Sequence, residues 1–206
     1  MLISNEKQSK VYKSYSHLPL TARPLDLLYV AFFGIHLIAT LVVDLQYFYP
    51  AWLVPGWMRA LLDFYIGMSK DPLVGGVDGA FGGSEHLVWF KTFLALEAVF
   101  QAPVFVLGFR ALRRGSKSIY PLLILYGASS ATTTLACITT ILQTPQTTPE
   151  TLAQGIVSVT TQERLMLLSS YVPFFLVPFI MAVDMTLRVS KLVRKAIKLE
   201  DEEKWK

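Results

Sequence analysis

Four long apolar stretches follow one another along the chain, at about residues 27–48, 87–109, 119–142 and 165–187. A helix needs about 20 mostly apolar residues to cross the hydrocarbon layer of a bilayer, and each stretch reaches that length. The first stretch ends in aromatic residues around Tyr47 and Trp52, which favour the interface between lipid and water. The pattern predicts an all-α integral membrane protein built as a four-transmembrane-helix bundle.

A shorter amphipathic segment lies between the first and second stretches. From Trp57 to Ile66 apolar side chains recur at helical spacing, whereas Arg59 and Asp63 fall on other faces. The segment is too short to span a bilayer, so we predict a short interfacial helix or one packed under the bundle. The glycine-rich segment over residues 75–83 is predicted to be a flexible loop outside the core.

The composition supports a single membrane domain. The 206 residues are 53% hydrophobic and 17% charged, with a mean hydropathy of +0.45, and a soluble domain needs a more charged surface. We assign residues 26–188 to this domain, with a polar tail over residues 1–25 and a charged tail over residues 189–206. The sequence has no nucleic-acid-binding motif, phosphate-binding loop or metal-ligand spacing. We therefore expect no nucleic-acid partner, no metal and no cofactor.

The distribution of cations predicts the orientation. Most of the 19 lysines and arginines lie in the two tails and in the loop after the second span. The exceptions are Arg59, Lys70, Lys91 and Arg164. Because cytosolic segments carry the excess of Lys and Arg, both termini are predicted to be cytosolic.

Polar side chains inside the spans indicate a shared pocket. Glu97 lies deep in the second span, where a carboxylate costs at least a few kcal/mol unless it faces a cavity, a partner or a ligand. Asp44, near the end of the first span, reaches a similar depth because consecutive spans run in opposite directions. We predict that Glu97 is protonated and hydrogen-bonds to an ionised Asp44. The same pocket is predicted to include His36, Gln101 and Tyr171, together with the hydroxyl-bearing residues Ser129, Ser130, Thr132, Thr133 and Thr134.

Three prolines offer a physical reason for this pocket. Pro103, Pro173 and Pro178 each remove a backbone hydrogen bond and are expected to kink their helices, which leaves room between them. The site suits an amphipathic ligand, with a hydroxyl or amine at the acids and an apolar body among Phe and Leu. Plainer interpretations stay open, in which the polar groups bond within or between helices and Asp71 is a turn residue.

Several spaced motifs occur in one order over about residues 25–185. They are His36, Asp44-Leu45-Gln46, Tyr65, Lys70-Asp71-Pro72-Leu73, Trp89-Phe90-Lys91, residues 97–103, Thr133-Thr134-Leu135, and Glu163-Arg164-Leu165 with Tyr171, Pro173 and Pro178. In these motifs the chain resembles the sigma-2 receptor family, also called the transmembrane protein 97 family, of the EXPERA-domain group. That group also contains the emopamil-binding sterol isomerase.

The resemblance implies a multi-pass endoplasmic reticulum membrane protein, often a homodimer, that binds sterols or amphipathic amines. Such proteins are linked to cholesterol homeostasis, and a sterol-transport membrane protein is a possible partner. In the family, the acid at Asp44 pairs with a cationic ligand and the acid at Glu97 hydrogen-bonds to it. The ligand-binding set also contains Thr134 and, from the motifs of the resemblance, Tyr65, while Asp71 and the three prolines support the site. No catalytic residue is assigned.

Two other functions remain as alternatives. Two acids in an apolar pocket could perform sterol Δ8-Δ7 isomerisation, but the resembling isomerase has a histidine where this chain has Thr40. A membrane adaptor or quality-control factor is the third hypothesis. The chain also departs from the family in having Ser129 or Ser130 where a histidine is common, and in its longer loop between Asp71 and Trp89.

Overall fold

The computed structural model describes residues 18–204, so most of the predicted polar tail over residues 1–25 lies outside the described residues. Within that range the regular structure is helical apart from one isolated bridge between Gln146 and Val159. Four helical segments are long and apolar enough to cross a membrane: Pro24–Phe48, Glu85–Arg113, Tyr120–Gln143 and Thr161–Lys204. The predicted four-helix membrane bundle is thereby confirmed.

The α-helices of the described residues are numbered here in chain order. They are α1 (Pro24–Val42), α2 (Gly56–Ser69), α3 (Val74–Asp78), α4 (Val88–Leu96), α5 (Ala102–Arg113), α6 (Tyr120–Gln143), α7 (Pro149–Ala153) and α8 (Thr161–Lys204). Short 3₁₀ helices occupy Leu20–Ala22, Asp44–Phe48, Ala51–Leu53 and Glu85–Leu87.

The first span changes its helical geometry at the position of a predicted site residue. Pro24 is the first residue of α1, where its missing N–H costs nothing. After Val42 the chain tightens into the 3₁₀ helix Asp44–Phe48, so Asp44 is the first residue of the tighter turn. Pro50 follows and cannot continue the helix.

The second span contains a π-helical segment, Glu97–Gln101, between α4 and α5. Here the backbone N–H of Ala102 donates to the carbonyl of Glu97, five residues back. Pro103 follows directly and supplies no N–H to the preceding turn. A single π turn accommodates this loss and is common at functional sites, so the irregularity expected from Pro103 takes this form.

The third and fourth spans approach each other closely at Gly127. A Cβ atom at this position would lie 2.6 Å from the carbonyl oxygen of Pro178 and 3.0 Å from Ala182. Only a residue without a side chain permits this contact between α6 and α8. Helix α8 continues through Pro173 and Pro178 and on to Lys204, so the charged segment after the predicted span is also helical.

The amphipathic segment forms α2, which buries Met58, Leu62 and Ile66. The prediction of a flexible loop after it is wrong in its first part, because residues 74–78 form α3. Gly75 and Gly76 of α3 are buried, and a Cβ atom on Gly76 would lie 2.6 Å from Leu87 Cδ1. The absent side chains let this short helix pack against the start of the second span.

The two ends of the bundle differ in their buried groups. The half that contains the start of α1 and the end of α5 has a core of aromatic and sulfur-containing side chains, including Tyr29, Phe33, Phe105, Tyr126 and Met181. We call this the basic end, because Arg23 and Arg188 lie here. The opposite half, where Asp44, α3 and the start of α4 lie, has a smaller core and is called the cavity end.

Candidate functional site

A cavity of about 230 Å³ lies between the spans and α2 at the cavity end. All seven side chains predicted to bind a ligand line it, namely His36, Asp44, Tyr65, Glu97, Gln101, Thr134 and Tyr171. The remaining wall is mainly apolar and consists of Ala39, Val43, Val74, Phe90, Phe93, Leu94, Cys137 and Phe174, with Ser130, Thr133 and Ser170. The sequence-based set is therefore brought together in space, whereas its role in binding stays a prediction.

The carboxylate of Glu97 meets different partners from the one predicted. The Thr40 hydroxyl, fully buried one turn before Asp44, donates a short hydrogen bond to Glu97 Oε1. His36 Nε2 lies 3.5 Å from the same oxygen. Among residues 18–204 no hydrogen bond joins Glu97 to Asp44, so the predicted contact between the two acids is replaced by contacts of Glu97 to α1. The π turn at Glu97 places its carboxylate beside α1, one helical turn below Asp44.

An aromatic cluster holds the His36 ring in place. The ring stacks on Phe105 at 4.5 Å between centroids and meets Phe174 and Phe32 edge-on at 4.6 Å and 5.1 Å. Its Nδ1 atom is buried without a hydrogen-bond partner. His36 is therefore fixed at the floor of the cavity with one nitrogen towards Glu97.

Asp71 is the centre of a hydrogen-bond network beside the cavity. It is fully buried, and its Oδ1 accepts from the backbone N–H groups of Leu73 and Val74 at 2.8 Å and 3.1 Å, which fixes the turn that leads into α3. Its Oδ2 accepts from the Tyr65 and Tyr171 hydroxyls at 2.7 Å and 2.9 Å. Burial, and then the Asp71 charge, raises the pKa of Tyr65 well above its ordinary value, so this hydroxyl stays a donor.

The three acids at the cavity have only neutral groups or a histidine as partners. Within the described part of the chain, no lysine or arginine forms an ion pair with Asp44, Asp71 or Glu97. On this side Arg59 bonds to Asp78, and to none of these three acids, at 2.6 Å and 2.7 Å, and Asp78 lines a small cavity together with Asp44. The hydrogen bond from Arg59 to Asp78 raises the pKa of the Arg59 guanidinium above its ordinary value.

Several functional candidates escaped the sequence interpretation. Thr40 was not included in the predicted binding set, although it bonds Glu97 directly. Its spacing, four residues after His36 and four before Asp44, places it on the same side of the first span as these two residues. The aromatic wall of Phe90, Phe93 and Phe174 gave no separate signal, because lipid-facing and cavity-facing aromatics look alike in an apolar span.

These features define a class: a multi-pass membrane protein with an acid-lined cavity inside a four-helix bundle. The family model described as EXPERA, the expanded EBP superfamily, matches residues 57–185. The chain therefore belongs to the EXPERA family, and the resemblance to its sigma-2 receptors is confirmed by the relatives that follow.

Three relatives show how far the similarity extends. Sigma intracellular receptor 2 of Homo sapiens is 35% identical over 168 residues, which cover 81% of this chain and 90% of that protein. The protein of the same description from Xenopus tropicalis is 33% identical over 167 residues, covering 80% and 89%. Efficient mitochondria targeting-associated protein 19 of Schizosaccharomyces pombe is 26% identical over 187 residues, covering 89% and 84%.

Proposed function

We propose that the protein binds a sterol or an amphipathic amine in the acid-lined cavity and acts without catalysis in sterol homeostasis. The observation that supports this most directly is the absence of a lysine or arginine beside Asp44, Asp71 and Glu97 in residues 18–204. Buried carboxylates are normally paired, and an unpaired one is strongly unfavourable. An ammonium group of a ligand would supply the missing partner.

Asp44 is the acid best placed for that role. It lines the cavity, and none of the hydrogen bonds of the described residues engages its carboxylate, whereas Glu97 and Asp71 already hold donors. A hydroxyl group could bond here as well, which accommodates the polar end of a sterol. The aromatic residues Phe90 and Phe93 offer an apolar surface to the rest of the ligand.

The cavity volume limits how a large ligand fits. Pockets that enclose drug-sized ligands measure about 300–1,000 Å³, and this one is somewhat smaller at about 230 Å³. A complete sterol therefore requires the aromatic side chains to move apart, or a tail that extends from the cavity into the lipid. The ammonium end of a slender amine fits without either change.

The relatives support the wider cellular role. Two of them are described as intracellular receptors, which is consistent with ligand binding in an internal membrane. We extend the proposal to the endoplasmic reticulum, with both termini cytosolic, a homodimeric assembly and a sterol-transport membrane protein as partner. These features rest on the cation distribution and the family resemblance.

Binding of a tritiated amphipathic amine to the purified protein tests the proposal. Asp44→Asn should weaken binding by at least about 30-fold, since loss of one partner of a buried charge pair costs about 2 kcal/mol or more. The matched control is Asp63→Asn, an exposed acid of α2 that is paired with Arg59 outside the cavity. It should bind as the wild type does.

Two results would contradict the proposal. Equal affinity of the wild type and Asp44→Asn for the amine would show that Asp44 does not take part in binding. If the wild type restored growth of sterol-isomerase-deficient cells and Glu97→Gln did not, the protein would be a catalyst and not only a binding protein.

A further inference from the structure

A second cavity, of about 280 Å³, lies behind the wall of the first one. The two cavities share no lining residue, although neighbours in the sequence face opposite sides of the partition. Leu73 and Trp89 line the second cavity, whereas Val74 and Phe90 line the first. The start of α3 and the start of the second span therefore separate two distinct sites.

The glycine-rich segment builds much of this second cavity. Gly76 and Gly83 line it, and a Cβ atom at either position would collide with a neighbouring side chain, that of Leu87 or Glu85. Phe81 forms part of the wall and is packed onto Gly75, since a Cβ atom there would collide with the Phe81 ring. The segment that the sequence predicts to be a flexible loop thus forms part of the wall of a defined cavity.

The lining of this cavity differs chemically from that of the first. It contains no carboxylate, lysine or arginine. Phe81, Leu87 and Trp89 give it apolar and aromatic walls, and Thr144 and His86 contribute the principal polar groups. This composition excludes the strong electrostatic preference for a cation that the three acids give to the first cavity, and it favours a neutral, mainly apolar occupant.

Hydrogen-bond capacity remains available at one side. In residues 18–204 no hydrogen bond engages the indole N–H of the partly buried Trp89 or the ring of the exposed His86. The hydroxyl of Thr144 donates to the carbonyl of Thr140 and keeps its lone pairs free. A small oxygen-bearing head group would find both donors and an acceptor here.

The position along the membrane normal indicates where an occupant comes from. Trp89 lies at the start of the second span, and Thr144 follows the last residue of α6, so both mark the same interface. We propose that this cavity binds a single-chain amphiphile with a neutral hydroxyl or carbonyl head and an alkyl tail. Its volume of about 280 Å³ accommodates a single alkyl chain without rearrangement of the wall.

Photolabelling tests this proposal directly. The probe is decanol with a diazirine in its alkyl chain, applied to the full-length protein in detergent, and adducts are located by peptide mass spectrometry. We expect adducts within residues 81–89 and 140–157. Excess unlabelled decanol should suppress them, whereas an amphipathic amine should leave them unchanged.

A matched pair of variants separates this site from non-specific labelling. Thr140→Phe fills the cavity and should abolish these adducts. Thr139→Phe adds the same ring at an exposed neighbour that does not line the cavity, so it should retain the adducts. The two variants are matched, because each threonine donates a hydrogen bond to the Ala136 carbonyl and each variant loses that bond. Asp44→Asn should also retain them, so loss of amine binding and loss of this site are independent results.

The outcomes decide the proposal either way. Equal labelling of Thr140→Phe and Thr139→Phe, or adducts confined to lipid-facing residues of the spans, would overturn it. Amine binding by Thr140→Phe serves as the check of folding. If that variant does not fold, Val157→Phe fills the same cavity from the loop side and must abolish the adducts.

Discussion

The bundle buries carboxylates at both ends, but it gives them different partners. At the basic end Asp26 accepts from Arg23 and from Arg188, each at 2.6 Å, and Arg188 also pairs with Asp184 at 2.8 Å. At the cavity end Glu97 and Asp71 accept hydrogen bonds from neutral hydroxyls, and Asp44 lines the cavity. At the basic end the buried acids are paired with arginines of the same chain, whereas at the cavity end no lysine or arginine of the described residues pairs with the acids.

This difference separates stabilising acids from acids available to a ligand. The arginines at the basic end also connect the chain, because Arg23 donates to the carbonyls of Leu112 and Arg113 at the end of α5. Such a network favours one arrangement of the helices, and removal of one member leaves buried charges behind. At the cavity end, the same type of side chain is held ready by neutral neighbours and lacks a counter-charge.

The largest expected effect comes from Asp26→Asn. It leaves Arg23 and Arg188 facing each other without their shared acid, and we expect a loss of about 3 kcal/mol in the free energy of unfolding. Thermal and denaturant unfolding in detergent measure this loss. Asp44→Asn, measured in the same way, should cost little or increase stability, since it removes an unpaired buried carboxylate.

The contrast between these two variants is the decisive part of the measurement. Their ranking should reverse in the ligand-binding assay, where Asp26→Asn binds normally at temperatures at which it is folded. Equal destabilisation by both variants would show that Asp44 is a structural acid, and the distinction between the two ends would be wrong.

Asp71→Asn should have an intermediate effect. An asparagine keeps one acceptor for the N–H groups of Leu73 and Val74 but loses the charge that accepts from Tyr65 and Tyr171. Because bonds to a charged group contribute about 1.5–3 kcal/mol, we expect destabilisation of about 2 kcal/mol. Thermal unfolding of the purified variant measures it.

The single variants Tyr65→Phe and Tyr171→Phe serve as references for Asp71→Asn. Each removes one donor and should cost less than the change at Asp71, which affects both tyrosines and the turn that leads into α3. A tyrosine variant that is less stable than Asp71→Asn would show that ring packing, and not the carboxylate, dominates this corner.

The sequence was sufficient to predict the four spans and a set of polar residues that line the first cavity. Hydropathy and length located four membrane helices, and the spacing of polar residues together with the family motifs selected side chains that share one cavity. These properties are local, because they depend on which face of a helix a residue occupies. Asp44, Glu97 and Tyr171 could be grouped since alternating helix directions fix their depths.

Contacts that depend on helix rotation and on close packing could not be predicted. Depth alone suggested that Glu97 meets Asp44, but the π turn before Pro103 rotates Glu97 towards Thr40. Asp184, near the end of the fourth apolar stretch, accepts from the Tyr29 hydroxyl at 3.2 Å, a contact between distant helices that spacing along one helix does not indicate. The glycines of α3 looked like a flexible loop because absent side chains signal freedom and close packing equally well.

The smallest expected effect concerns Thr40, the residue that links α1 to Glu97. Thr40→Val keeps the branched shape but removes the hydroxyl that donates to the carboxylate. Hydrogen bonds between membrane helices contribute roughly 1 kcal/mol, so we expect a small loss of stability together with a change in amine affinity, because Glu97 is then free to turn towards the cavity. Thr40→Ser keeps the hydroxyl and should bind the amine as the wild type does, although it loses a methyl group from a buried position.

If valine and serine change amine affinity equally, packing at this position determines the site, and the hydroxyl does not hold Glu97. A larger shift for valine shows that the neutral partners of the cavity acids control how much of their charge a ligand meets.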